Sequence, residues 1–234
     1  HAMSRSGRVA RLFAHADTPA LAMNVRDLEL RRLKAGDLVR VKSRRGEVIV
    51  VAEASDSVRP GQCFLPMHWG ARFMAGHGIN ALTLPLFDAV SKQPELKHAA
   101  VQVTRAELPW RMAVLAVGDG TLLLDAVQPL LRACDYAAAG LAGRERDVLT
   151  LRLAHAQALP EPLLAALDAA LGLYDALAVM HYQDSPRGIS KRVRVDAGKV
   201  TAVRLSGETA AFEWLRDAMV EGVGVAALRS WMLA

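Results

Sequence analysis

Cysteine is nearly absent: Cys63 and Cys134 are the only two in 234 residues, far apart and without ligand-type spacing. That excludes a disulfide framework, a cysteine zinc site and a four-cysteine iron–sulfur cluster within this chain. No apolar run is long enough to span a bilayer and no cleavable leader is visible, so no membrane role is expected and a cytoplasmic setting is. Aromatics make up 5% of the residues and do not interleave with the basic ones, which argues against a nucleic-acid platform. A glycine-rich dinucleotide fingerprint is also missing; Gly118-Asp119-Gly120 is too short and reads as a turn.

What the chain does have is aliphatic bulk, with 52% hydrophobic residues, enough for a sizeable core. His1-Ala2 ahead of Met3 reads as a cloning scar. The net charge of +5 is uneven. Residues 1–110 carry 16 Lys/Arg against 10 Asp/Glu, whereas the remainder carries 13 against 14. A basic first half suggests an anionic partner, and cofactor phosphates suit it as well as nucleic acid does.

The first half reads as mainly β. Strands are expected at 8–13 and 20–23, then an Asn24-capped helix ending near Leu33. Asp37 to Ser43 alternates apolar and polar residues, Arg44-Arg45-Gly46 turns, and Glu47 to Ala54 returns. Further strands are expected at 62–65 and 99–103. Between them, 67–94 shows little periodicity, and a loop of that length is functional or disordered. Part of the stretch from Arg72 to Asn80 is expected to be mobile. Many short strands with turn chemistry favour a closed barrel over an open sheet.

Pro109 and Trp110 mark a boundary, after which alanine and leucine dominate. A strand is expected at 112–117, a helix interrupted at Pro129, and a strand at 148–153. Leu163, Leu164, Leu167 and Leu171 form one helical stripe. Residues 189–195 and 200–205 flank Asp196-Ala197-Gly198 as a hairpin. Helices are expected at 209–219 and 225–232. This second half, 109–234, is expected to be a smaller α+β domain without a catalytic constellation.

Taken singly, the polar motifs of the first half have ordinary explanations. Arg40, Lys42, Arg44 and Arg45 suit a solvated hairpin face. Met67-His68-Trp69-Gly70 could be a core indole beside a satisfied imidazole, and no carboxylate or second His sits at metal-ligand spacing. Asn80 in Asn80-Ala81-Leu82-Thr83 can donate and accept at once, as reading a heterocycle edge requires, or can cap a turn. Lys92 and Lys97, flanking Pro94-Glu95, suit a phosphate, an acid or plain solvent.

In this order, however, Pro66-Met67-His68-Trp69-Gly70, Asn80-Ala81-Leu82-Thr83 and the run from Ser91 to Val101 resemble the final domain of bacterial assimilatory nitrate reductases. These are molybdenum enzymes of the DMSO-reductase superfamily, and the resemblance covers residues 3–108. It implies a six-stranded double-psi β-barrel over 4–108 that grips a molybdenum bis(molybdopterin guanine dinucleotide). Met3, Ser4, Arg5, Ser6 and Gly7 would then pass against pterin or phosphate groups, as backbone amides beside a glycine allow. Asn80 would hydrogen-bond the cofactor, Lys97 would reach it as a charged donor, and Lys92 would stand beside it. His68 and Trp69 would flank the substrate funnel.

The molybdenum ligand and the cluster-binding cysteines of the family fall outside these residues, so the chain is expected to be a cofactor-binding piece, inactive alone. Its partners would be the remaining domains of the parent enzyme and an electron donor: ferredoxin, flavodoxin or an NADH-dependent reductase. Residues 187–215 are similar to the small C-terminal domain of NADH-dependent flavoprotein reductases, which implies a docking or spacing module. Rivals are a formate dehydrogenase-like oxidoreductase and a stand-alone double-psi barrel serving as an interaction module.

Overall fold

Ala20–Met23 forms β1, with Leu21 and Met23 turned into the core. Asn24 ends it and starts helix α1, Val25–Leu30: its side chain accepts the Arg26 N–H at 3.1 Å and donates to the Val58 carbonyl at 2.8 Å. The helix stops earlier than its sequence suggests, because Arg32 adopts φ 55 and reverses the chain. Leu38–Lys42 and Glu47–Ala54 follow as β2 and β3, a hairpin about the expected turn, and Arg40 pairs with Glu47 across it. Cys63–Phe64 is a short β4, and Gln102–Arg105 is β5.

The computed structural model describes residues 16, 18–94, 98–143 and 146–226. The strand expected at 8–13 lies outside them. Among the described residues the first sheet has the order β4-β1-β3-β2-β5, with β1 parallel to β3 and the other pairs antiparallel. Parallel pairing across an intervening strand needs a crossover, which α1 and β2 supply. The strand expected at 99–103 sits three residues later, since His98, Ala99 and Val101 instead line a pocket.

The second sheet has six strands: Trp110–Val117 (β6), Tyr136–Ala142 (β7), Val148–His155 (β8), Val179–Asp184 (β9), Ile189–Asp196 (β10) and Lys199–Ser206 (β11). Their order is β7-β8-β6-β11-β10-β9, antiparallel throughout. Helices α2 (Gly120–Ala126), α3 (Gln128–Ala133) and α4 (Glu161–Ala170) lie on one face, which also receives the first half. Helix α5 (Phe212–Glu221) covers the other with Phe212, Leu215 and Met219 over Leu115, Val203 and Leu205. The helix foreseen around Pro129 is two short ones, with the proline placed where its missing N–H costs nothing.

One buried cluster runs from Leu21, Val39 and Val50 through Trp69, Phe73 and Met74 to Val114, Leu151 and Leu164. The two sheets therefore share a core across the boundary at Pro109. The stretch expected to be mobile provides the bridge. Phe73 and Met74 are buried, Ala139 donates to the Phe73 carbonyl at 2.7 Å, and Ala75 donates to Ala137 at 3.1 Å. Gln128 adds a bond from its side chain to the Arg72 carbonyl.

Among the described residues the two most deeply buried charges meet. Asp168 on α4 is 2% exposed and Arg204 on β11 is 5% exposed. Their side chains meet in a two-pronged contact, at 2.6 and 2.8 Å, and Arg204 also donates to Ser206. Arg192 Nε stands 3.2 Å from the second Asp168 oxygen, while its guanidinium donates to the Leu173 carbonyl and lies over the Tyr174 ring.

Candidate cofactor-binding site

The long loop of the first half is held by backbone contacts rather than by regular structure. His68 takes φ 75, which turns the chain so that Trp69 points inward, 1% exposed and edge-on to Phe73 with ring centres 6.5 Å apart. The Trp69 carbonyl then receives the Ile79 N–H at 3.0 Å. Gly78 lies between them at φ 77 and ψ 179, a conformation essentially reserved for glycine, and a Cβ there would come within 2.5 Å of the Trp69 oxygen. Trp69 and Gly78 together fix the start of a single 3-10 turn, Ile79–Leu82.

That turn buries Ile79 and Leu82 and leaves Asn80 exposed. Thr83 closes it, its hydroxyl donating to the Asn80 carbonyl at 3.1 Å. Asn80 and Thr83 stand with His98 at the rim of a half-open pocket of about 120 Å³, whose wall is apolar: Leu21, Val41, Leu65 and Val101 among others. Polar groups at the rim of an apolar wall suit the edge and the face of a planar heterocycle. The volume is well under the roughly 300–1,000 Å³ of a complete ligand pocket.

The expected site residues divide three ways. Asn80 lines the pocket. His68, exposed, and Trp69, in the core, do not line it, and neither does Lys92, which is exposed with its ammonium 5.5 Å from the Phe87 ring centre. Met3, Ser4, Arg5, Ser6, Gly7 and Lys97 lie outside the described residues. Thr83, His98 and Met67 join Asn80 although the sequence reading gave them no role there. The signal was available only in part: Thr83 closes the motif that carries Asn80, and His98 follows Lys97.

Cys63 also faces the pocket. Burial raises its thiol pKa, against the lowering effect of Arg31 and with a smaller push from Asp27. Cys134 is pushed up to about 12, chiefly by burial and then by Asp135. Neither is poised as a thiolate ligand or nucleophile at neutral pH. Among the described residues no group of three His, Cys, Asp or Glu side chains could hold a metal ion, and no helix is long and apolar enough to cross a membrane.

Comparison with known proteins falls on this half of the chain. Residues 1–100 match the family model of the Molydopterin dinucleotide binding domain. A nitrate reductase of Klebsiella oxytoca is 34% identical over 111 residues, 47% of this chain and 13% of that protein. The F420-dependent formate dehydrogenase subunit alpha of Methanocaldococcus jannaschii is 32% identical over 105 residues, 45% of this chain and 15% of that protein. A nitrate reductase of Synechocystis sp. is 41% identical over 63 residues, 27% of this chain and 9% of that protein. The chain thus spans a small fraction of the relatives it matches. The likeness to the Molydopterin dinucleotide binding domain lies in its first 100 residues.

Proposed function

We propose that the chain is the C-terminal, cofactor-gripping region of a molybdenum nitrate reductase that works in nitrate assimilation. The family match together with Asn80 at the rim of an apolar half-cleft carries this reading. On this account the first sheet is part of a double-psi barrel. In this reading Asn80 orients a molybdopterin guanine dinucleotide by its amide, and the apolar wall excludes water from one face of it. Lys97 and Met3–Gly7 would serve its phosphates. When bound, that cofactor supplies the two-electron chemistry; the protein supplies orientation and electrostatics. Remaining domains of the parent enzyme would close the other side of the cleft and take electrons from a ferredoxin, a flavodoxin or an NADH-dependent reductase.

The test is Asn80→Ala in the full-length parent enzyme. Molybdenum and pterin content per folded protein should fall severalfold, with nitrate reduction falling in proportion; full occupancy would reject the assignment. The 234-residue chain alone should give no nitrite from nitrate with reduced viologen. Sustained turnover there would show that the chemistry does not need the other domains. The formate dehydrogenase relative keeps a second substrate in view, and formate oxidation by the same full-length enzyme separates the two.

A further inference from the structure

The β2–β3 hairpin carries four basic residues, and the structure separates them. Arg40 pairs with Glu47, the acid that stands opposite Lys42. Arg44 and Arg45, at the tip, are exposed and have no carboxylate partner among the described residues. The turn that carries them is closely tied. The Ser43 hydroxyl accepts the N–H groups of Arg45 at 3.0 Å and Gly46 at 3.3 Å, and the Ser43 N–H donates to the Gly46 carbonyl at 2.9 Å. Adjacent unpaired cations on a fixed turn raise the local positive potential and attract an anion.

Gly46 puts that tip beside the candidate site. Its φ lies outside the left-handed region, so backbone conformation does not call for glycine here. Clearance does: a Cβ would come within 2.9 Å of the Ala81 carbonyl oxygen and 3.4 Å of the Ala81 side chain. Ala81 follows Asn80 in the 3-10 turn, and the same hairpin sends Val41 into the pocket wall. The pocket passes from its apolar wall to Asn80, Thr83 and His98, with no lysine, arginine or carboxylate among the described lining residues. Such a surface can hold a heterocycle but cannot neutralise a diphosphate. The two arginines stand just beyond its rim, across the contact between Gly46 and Ala81.

We propose that Arg44 and Arg45 grip the diphosphate of the dinucleotide whose heterocycle Asn80 meets, with Lys42 adding to the positive field. Resting on the cofactor-binding reading above, this subsite comes from a different element and adds to the contacts assigned to Lys97 and residues 3–7. A guanidinium presents its donors as a planar fork that matches phosphate oxygens, and it stays charged throughout the working pH range. Because both arginines are exposed, their pull weakens as salt screens it. Gly46 has a positioning part, since a side chain there would push the tip away from the Asn80 turn.

The test is Arg44→Gln/Arg45→Gln in the full-length parent enzyme, read as molybdenum, pterin and nucleotide released per folded protein. Occupancy should fall severalfold. The unaltered enzyme should lose cofactor faster as sodium chloride is raised, and the double variant should show a shallower dependence on salt. Arg44→Lys/Arg45→Lys keeps the charge without the fork and should recover part of the occupancy. Arg26→Gln/Arg132→Gln, which removes two exposed charges from other elements, should leave occupancy unchanged. The 234-residue chain carrying the Arg44→Gln/Arg45→Gln pair should keep its urea unfolding midpoint. Normal occupancy in the glutamine pair, a shifted midpoint, or an equal loss in the Arg26/Arg132 control overturns the proposal; the reading beneath it stands as long as Asn80→Ala empties the site. Full occupancy in Asn80→Ala rejects that reading, and the diphosphate subsite with it.

Discussion

Asp168→Ala is expected to cost about 3–5 kcal/mol of folding stability, the range for removing one partner of a buried ion pair. The carboxylate holds the Arg204 guanidinium through both oxygens, and Arg192 approaches one of them at 3.2 Å. Without it, Arg204 keeps its charge at 5% exposure with only the Ser206 hydroxyl left beside it. Asp125→Ala is the control, because its 3.1 Å contact with Arg72 is largely exposed and such pairs contribute about 0–1 kcal/mol. Urea unfolding of the chain, read as the shift in midpoint at constant slope, measures both. Equal shifts for the two substitutions would show that the Asp168 cluster is solvated. The cluster also ties β10 and β11 to helix α4.

How far the sequence discloses this protein depends on what kind of signal a residue leaves. Period-two alternation marked β2, β10 and β11, and an apolar run after a turn marked β3, close to their observed bounds, although β3 and β11 are buried on both faces and β10 is half-buried along its length. Strand β7, Tyr-Ala-Ala-Ala-Gly-Leu-Ala, gave no such signal. It is buried on both faces and its alanines are there because the Phe73–Ala75 segment and α3 approach closely, a reason that exists only in three dimensions. Asp168 was equally silent, one acid beside a leucine stripe, since its partners come from strands 24 and 36 positions further on. In the candidate site, Asn80 of its motif lines the pocket. For the neighbouring Met-His-Trp-Gly motif the residues alone allowed a core indole and the resemblance implied a place beside the substrate funnel; the structure buries the indole to 1% exposure.

That distinction sets the remaining expectation. Trp69→Ala should cost about 3–5 kcal/mol, as large-to-small changes at buried aromatic positions do. Trp69 is 1% exposed, stands edge-on to Phe73, and belongs to the cluster that joins the first sheet to the second. The cavity it leaves would lie directly under the backbone that receives Ile79 and carries Asn80. Loss of cofactor in this variant of the full-length enzyme should therefore follow loss of stability and be partly restored at low temperature or by Trp69→Phe. Asn80→Ala should behave in the opposite way. Its side chain is exposed, so the unfolding midpoint should move by no more than about 0.5 kcal/mol while cofactor retention falls. Should Trp69→Ala keep its unfolding midpoint and lose the cofactor, the indole would be a direct contact and the core assignment wrong. Should Asn80→Ala lose midpoint and cofactor together, the amide would be holding the turn rather than the ligand.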